Sequence, residues 1–111
     1  MIDYETAKNN ASYYINKGKS KPEQEALIID DLTIEKEYGW IFFYNSRIYL
    51  ETGNEDYLFY GNAPLIVEKE DGSFHYTGTA RDTEYYITQY EKQRKWKKFW
   101  AKFSLFKRSQ S

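Results

Sequence analysis

Apolar residues recur at helical spacing at the start of the chain, where Tyr4, Ala7, Ala11, Tyr14 and Ile15 fall on one face. Asp3 stands where an N-cap belongs, Gly18 is a natural stop, and Lys19-Ser20-Lys21-Pro22 reads as a linker. The period then changes to two. A strand is predicted over Glu25–Tyr38, with Ile28, Leu32 and Ile34 on one parity around Asp30, and Leu27, Ile29, Asp31 and Thr33 on the other. Both parities are mixed, so a bulge is expected near Asp30-Asp31. Tyr38-Gly39 turns into the strongest strand, Trp40–Leu50, where Trp40, Phe42 and Tyr44 alternate with Ile41, Phe43 and Asn45. A strand that begins apolar on both faces is expected at the centre of a sheet, covered on each side. Glu51-Thr52-Gly53-Asn54 is read as its end, and Ala63–Val67 as a short buried strand with Pro64 at its entrance. Glu70-Asp71-Gly72-Ser73 predicts a hairpin turn, and Phe74, Tyr76 and Gly78 a returning strand. Asp82 caps a final helix that starts at Thr83. The order is helix, four strands, helix. It predicts an α+β domain with a four-stranded antiparallel twisted sheet and a long C-terminal helix packed on it.

The middle of the chain carries a series of short motifs. It reads Trp40-Ile41-Phe42-Phe43-Tyr44-Asn45-Ser46, Tyr49-Leu50-Glu51-Thr52-Gly53, Gly61-Asn62-Ala63-Pro64-Leu65-Ile66-Val67, Asp71-Gly72 and Gly78-Thr79-Ala80, then Tyr86-Ile87. In order and spacing this series resembles the immunity protein 35 family, also called YrhB-like, over about residues 3 to 92. The resemblance implies a small cytoplasmic α+β protein that serves as the antidote in a bacterial polymorphic toxin system, with a cognate toxin as its partner. Two features depart from the family pattern. Asp82 stands where a Pro is expected in the first turn of the last helix, and the basic aromatic segment beyond Lys92 lies outside the pattern. Residues 1–94 are therefore read as the immunity-type domain and residues 95–111 as its helical extension.

The motif residues themselves read as scaffold. Gly53, Gly61, Gly72 and Gly78 fall at predicted strand ends, where a positive φ or a close backbone approach suits Gly. Asn62 can fix a turn through nearby backbone groups, with Pro64 and Thr79 in the same motifs. Trp40 and Tyr44 are expected in the core, each with one polar end.

Composition narrows the chemistry. Among 111 residues there is no Cys, which excludes disulfides and thiolate metal sites, and one His, which excludes a multi-His site within the chain. No metal or other cofactor is implied. Twenty-two aromatic residues, 12 of them Tyr, are too many for a disordered chain. No apolar run approaches the length of a membrane span, and the start lacks the pattern of a signal peptide, so a cytoplasmic protein is expected. Asp30-Asp31 with Glu35 or Glu37 could form an acid/base set, but adjacent strand residues point to opposite faces. His75 has no Ser or acid at an evident spacing, and Gly61-Asn62-Ala63-Pro64 lacks the Gly spacing and Lys of a phosphate loop. These readings go against an enzyme.

The formal net charge of −1 hides a division. Residues 1–90 hold eight Lys and Arg against 16 Asp and Glu, whereas residues 91–111 hold eight against one. The acidic part would steer a basic partner, and a nuclease toxin, whose substrate is a polyanion, is the first expectation. Asp30, Asp31, Glu35, Glu37, Glu55, Asp56, Glu70 and Asp71 are the candidate contacts. In the basic part Trp96, Phe99, Trp100, Phe103 and Phe106 recur at three or four residues, on one helical face. On an ideal wheel this stripe is roughly 150° from that of Tyr86, Ile87 and Tyr90. Either the helix breaks after Arg94, or the aromatic stripe meets something besides the main core. Four readings stay open for it: cover for the second sheet face, a homodimer contact in place of a monomer, an anionic membrane surface, or nucleic acid. The acidic body repels the polyanion of the last, so no nucleic-acid partner is expected.

Overall fold

A computed structural model describes the backbone of residues 1–110 and the side chains of residues 1–103. The side chains of Phe106, Lys107 and Arg108, assigned above to the aromatic and basic stripes, lie outside the described residues. Two compact units are present: Met1–Thr79, and a second that begins at Ala80.

In the first unit, helix α1 (Tyr4–Asn16) starts where Asp3 accepts the Thr6 amide at 2.8 Å. It buries Ala7, Ala11 and Ile15, and the two alanines leave room for a close approach to the sheet. Asn16 at its end grips the Ala26 backbone twice, accepting the amide at 2.8 Å and donating to the carbonyl at 3.0 Å. Gly18 then adopts the left-handed conformation at φ 81.

Six short strands follow among the described residues: β1 (Ala26–Ile28), β2 (Ile34–Lys36), β3 (Gly39–Phe42), β4 (Tyr44–Ser46), β5 (Leu65–Glu68) and β6 (Phe74–Tyr76). They form a four-stranded antiparallel sheet, β2-β3-β5-β6, and a two-stranded ribbon, β1-β4. The α+β class is therefore as predicted, and the two long strands are not. The segment Glu25–Tyr38 is β1 and β2 separated by a 3-10 turn at Asp30–Leu32, in place of the expected bulge. The segment Trp40–Leu50 is interrupted at Phe43 and ends at Ser46. The two interruptions face each other, and the Ile29 amide donates to the Phe43 carbonyl across them at 2.8 Å.

Helix α2 (Arg47–Thr52) occupies residues expected as strand and strand end. Buried Ser46 caps it, its hydroxyl accepting the Tyr49 amide at 3.2 Å, and Gly53 at φ 74 closes it. Gly53 thus ends a helix. Gly61 and Gly72 also have positive φ, and Gly78 does not. Gly39, read from the sequence as part of a turn, opens β3 and has the tightest surroundings: a Cβ there would lie 2.0 Å from the Val67 carbonyl oxygen.

The core forms on one sheet face from Trp40, Phe42, Leu65 and Val67 against Ala7, Ala11 and Ile15. Burial of each large side chain there contributes about 1.5–3 kcal/mol. Tyr4 packs its ring edge against Trp40 at 6.1 Å. On the other parity Ile41 and Ile66 are buried as well, so β3 is apolar on both faces as the pattern predicted, and β5 is buried beside it.

In the second unit, helix α3 (Thr83–Gln110) is one continuous helix, with no break after Arg94. Asp82 accepts the Tyr85 amide at 2.9 Å, serving as the cap. The Tyr86 hydroxyl accepts the Ala80 and Arg81 amides at 3.1 and 3.2 Å and fixes the entry turn.

Candidate functional site

The eight acidic candidates do not form one patch. Glu35 on β2, Glu37 in the β2–β3 turn, and Glu70 and Asp71 in the β5–β6 turn gather at one end of the four-stranded sheet. The Lys69 amide donates to the Tyr38 carbonyl at 2.8 Å and holds these two turns side by side. Glu55 and Asp56 lie past β4, in a 3-10 turn at Glu55–Tyr57. The run from Gly39 to Ser46 separates the groups, a distance on the order of 20 Å along the strands. Asp30 and Asp31 sit between them in the turn that interrupts the first strand segment.

These carboxylates differ in how far they are committed. Asp30 accepts from the Tyr4 hydroxyl at 2.9 Å and from the Lys8 ammonium at 2.8 Å. The Lys8 bond first, then that of Tyr4, holds its pKa below the ordinary value. Asp30 therefore ties the turn to α1. Glu35 pairs with Lys69 at 3.7 Å, and that ammonium also lies over the Trp40 ring at 5.1 Å. Asp71 is held below its ordinary pKa by the Ser73 side chain and then the Ser73 amide. Glu37, Glu55, Asp56 and Glu70 are exposed.

The same hairpin corrects one sequence reading. His75 does have a serine beside it: Ser73 Oγ lies 2.8 Å from its Nε2. The order here is carboxylate, hydroxyl, imidazole, whereas activating a serine requires the imidazole in the middle. The Ser73 amide also donates to Asp71 Oδ1 at 2.9 Å, so the contacts with Asp71 and His75 brace the turn. Among the described residues, no group of three His, Cys, Asp or Glu side chains gathers to hold a metal.

A surface that the sequence reading missed lies near the Glu55–Tyr57 turn. A groove of about 600 Å³ is lined by Ile15, Lys19, Tyr44, Phe59, Tyr60 and Tyr76, among others. Its loop wall is carried on asparagines: Asn45 Oδ1 accepts the Phe59 amide at 2.9 Å, and Asn62 donates to the Tyr44 carbonyl at 2.6 Å. Asn62 thus makes a long-range tie and does not fix a local turn. Tyr44 is half-buried, and burial first, then the charge and hydrogen bond of Tyr76, pushes its hydroxyl pKa well up. Tyr14 continues the aromatic wall, stacked on Phe74 at 4.6 Å and tilted against Tyr76 at 5.8 Å. Tyr60 is 81% exposed and Tyr76 51%. Rigid, amphipathic tyrosines around a shallow groove are suited to contact with another protein. The one local signal was the tyrosine content; the groove itself is assembled from α1, β4, β6 and the loop before β5.

In α3, Trp96, Phe99, Trp100 and Phe103 are exposed, in edge and stacked contact with one another. Among the described residues no helix is long and apolar enough to cross a membrane.

A braced α+β scaffold with an acidic, tyrosine-rich surface has the build of a protein-binding module. The family model described as Immunity protein 35 matches residues 5–97, and the chain belongs to that family. The "Uncharacterized protein YrhB" of Escherichia coli (strain K12) is 34% identical over 91 residues, which cover 82% of this chain and 90% of that protein. No solved structure matches the chain.

Proposed function

We propose that the protein binds one cognate toxin in the cytoplasm and neutralises it by occluding its active site or substrate path, acting by contact and not by chemistry. The family match over residues 5–97 is the observation that carries this reading. The charge of residues 1–90, eight basic against 16 acidic, supports a basic partner such as a nuclease. Glu55 and Asp56 beside the tyrosine groove form the favoured contact region, with Glu37, Glu70 and Asp71 at the sheet end as the second. Asp30, Asp31 and Glu35 steer the partner chiefly through their charge. Residues 1–94 are the binding domain, and residues 95–111 are an extension that the toxin contact does not require. The family match stops at residue 97, so most of that extension lies outside it.

Co-expression with the product of the neighbouring toxin-like gene tests this. Growth is expected to recover, and the two proteins to co-purify. Continued toxicity with no complex would overturn it.

A further inference from the structure

We propose that the aromatic face of α3 docks on an anionic lipid surface. This inference is independent of the toxin reading. Trp96, Phe99, Trp100 and Phe103 are 60%, 55%, 54% and 39% exposed, and neighbouring rings lie 5.6 to 6.4 Å apart. They form a continuous apolar strip along two turns of helix, with a shallow hollow of about 310 Å³ lined by Lys92, Lys95, Trp96 and Phe99. A strip of large aromatics left open to water marks an interaction surface.

Charge selects the occupant. From Lys92 onward the chain has eight Lys and Arg and no Asp or Glu. On an ideal helical wheel Lys95 and Lys102 border the strip on one side, Lys98 lies further round, and Lys92 falls on the strip's own face one turn before Trp96. A helix lying in the headgroup layer places Trp and Phe at the acyl boundary while long Lys side chains reach back to lipid phosphates. Glu91 is the one acid of the helix near the strip, against eight Lys and Arg after it; Asp82 and Glu84 precede Trp96 by 14 and 12 residues. That is roughly 20 Å of helix, beyond a Debye length of about 8 Å at physiological salt.

A second copy placed strip to strip would bring the bordering lysines of both helices together, which repels. Single-stranded nucleic acid needs open ring faces for its bases. Here the Phe99 and Phe103 planes are stacked within 8° of each other. Lipid is the occupant that both the strip and its border fit.

Co-sedimentation of the full chain with phosphatidylcholine vesicles, with and without about one quarter phosphatidylglycerol, tests this at about 0.1 M salt. Binding to the anionic vesicles is expected, with a blue shift in tryptophan emission. Trp40 is already buried, so the shift reports Trp96 and Trp100. At about 0.5 M salt the bound fraction should fall severalfold, as charge attraction is screened. The double variant Trp96→Gln/Trp100→Gln and the charge variant Lys95→Glu/Lys98→Glu should each weaken binding about tenfold, with unchanged melting curves. No binding to anionic vesicles, or equal binding by both variants, would overturn the proposal. So would a stable dimer, or an oligonucleotide complex, that the tryptophan variant abolishes while vesicle binding persists.

Discussion

The Asn62 side chain donates to the Tyr44 carbonyl at 2.6 Å across 18 residues, and this bond ties one wall of the tyrosine groove to its floor. Asn62→Ala leaves a half-buried carbonyl without this donor. The expected cost is about 1–2 kcal/mol, read from urea unfolding. Asn62→Asp, which brings an acceptor to an acceptor, should cost at least as much.

Gly39→Ala tests the closest approach in the sheet. The added Cβ would meet backbone, the Val67 carbonyl oxygen at 2.0 Å, so no side-chain rotation relieves it. We expect a loss of about 3 kcal/mol. A melting temperature within a few degrees of the parent would show that β3 and β5 are spaced differently.

Ser46→Ala removes the cap of α2. The hydroxyl accepts the Tyr49 amide at 3.2 Å and is fully buried, so the expected loss is about 1 kcal/mol. Ser46→Thr should recover most of it, which separates capping from packing.

Asp30 and Lys8 give a pH signature. The folded pKa of Asp30 is below its ordinary 3.8, so its contribution is present above that value and lost as pH falls through the lowered one. The folded pKa of Lys8 is above its ordinary 10.5, so its contribution is present below that value and lost as pH rises through the raised one. The pair is largely exposed, which limits it to a few tenths of a kcal/mol. Asp30→Asn should flatten the acid limb of stability against pH while leaving the midpoint at pH 7 nearly unchanged. An unaltered acid limb would remove the pair from the account.

How far the sequence could be read depended on whether the deciding contacts were local. Helix α1 was legible because Asp3, the Ala7/Ala11/Ile15 spacing and Gly18 all lie within one short segment. The buried strands β3 and β5 were legible from their apolar runs, and Asp82 from its place before α3. The interruption of both long strands was not, because it is fixed by the Ile29–Phe43 bond between segments. Helix α2 was misread because Ile48 and Tyr49 favour strands and follow directly on an apolar strand run. The buried Ser46 cap and the left-handed Gly53 override that preference. The acidic candidates could be named from the sequence, but the gathering of Glu37, Glu70 and Asp71 at one end of the sheet, apart from Glu55 and Asp56 past β4, depends on which turns face each other. The groove could not be placed from the sequence, since its tyrosines, Tyr44, Tyr60 and Tyr76, come from three separate segments.

If the acidic surface guides the toxin, association should slow with salt while dissociation changes little. Glu55→Lys/Asp56→Lys should lower the association rate severalfold, and Tyr60→Ala should speed dissociation about tenfold, measured by surface plasmon resonance. A salt-independent association rate would contradict the steering role.

The most direct measurement is titration of the purified toxin's activity with the purified chain. Neutralisation by occlusion predicts that activity falls in proportion to added protein and ends at one copy per toxin, with both proteins recovered chemically unchanged. Full activity with the chain in excess, or a complex that remains active, would contradict it.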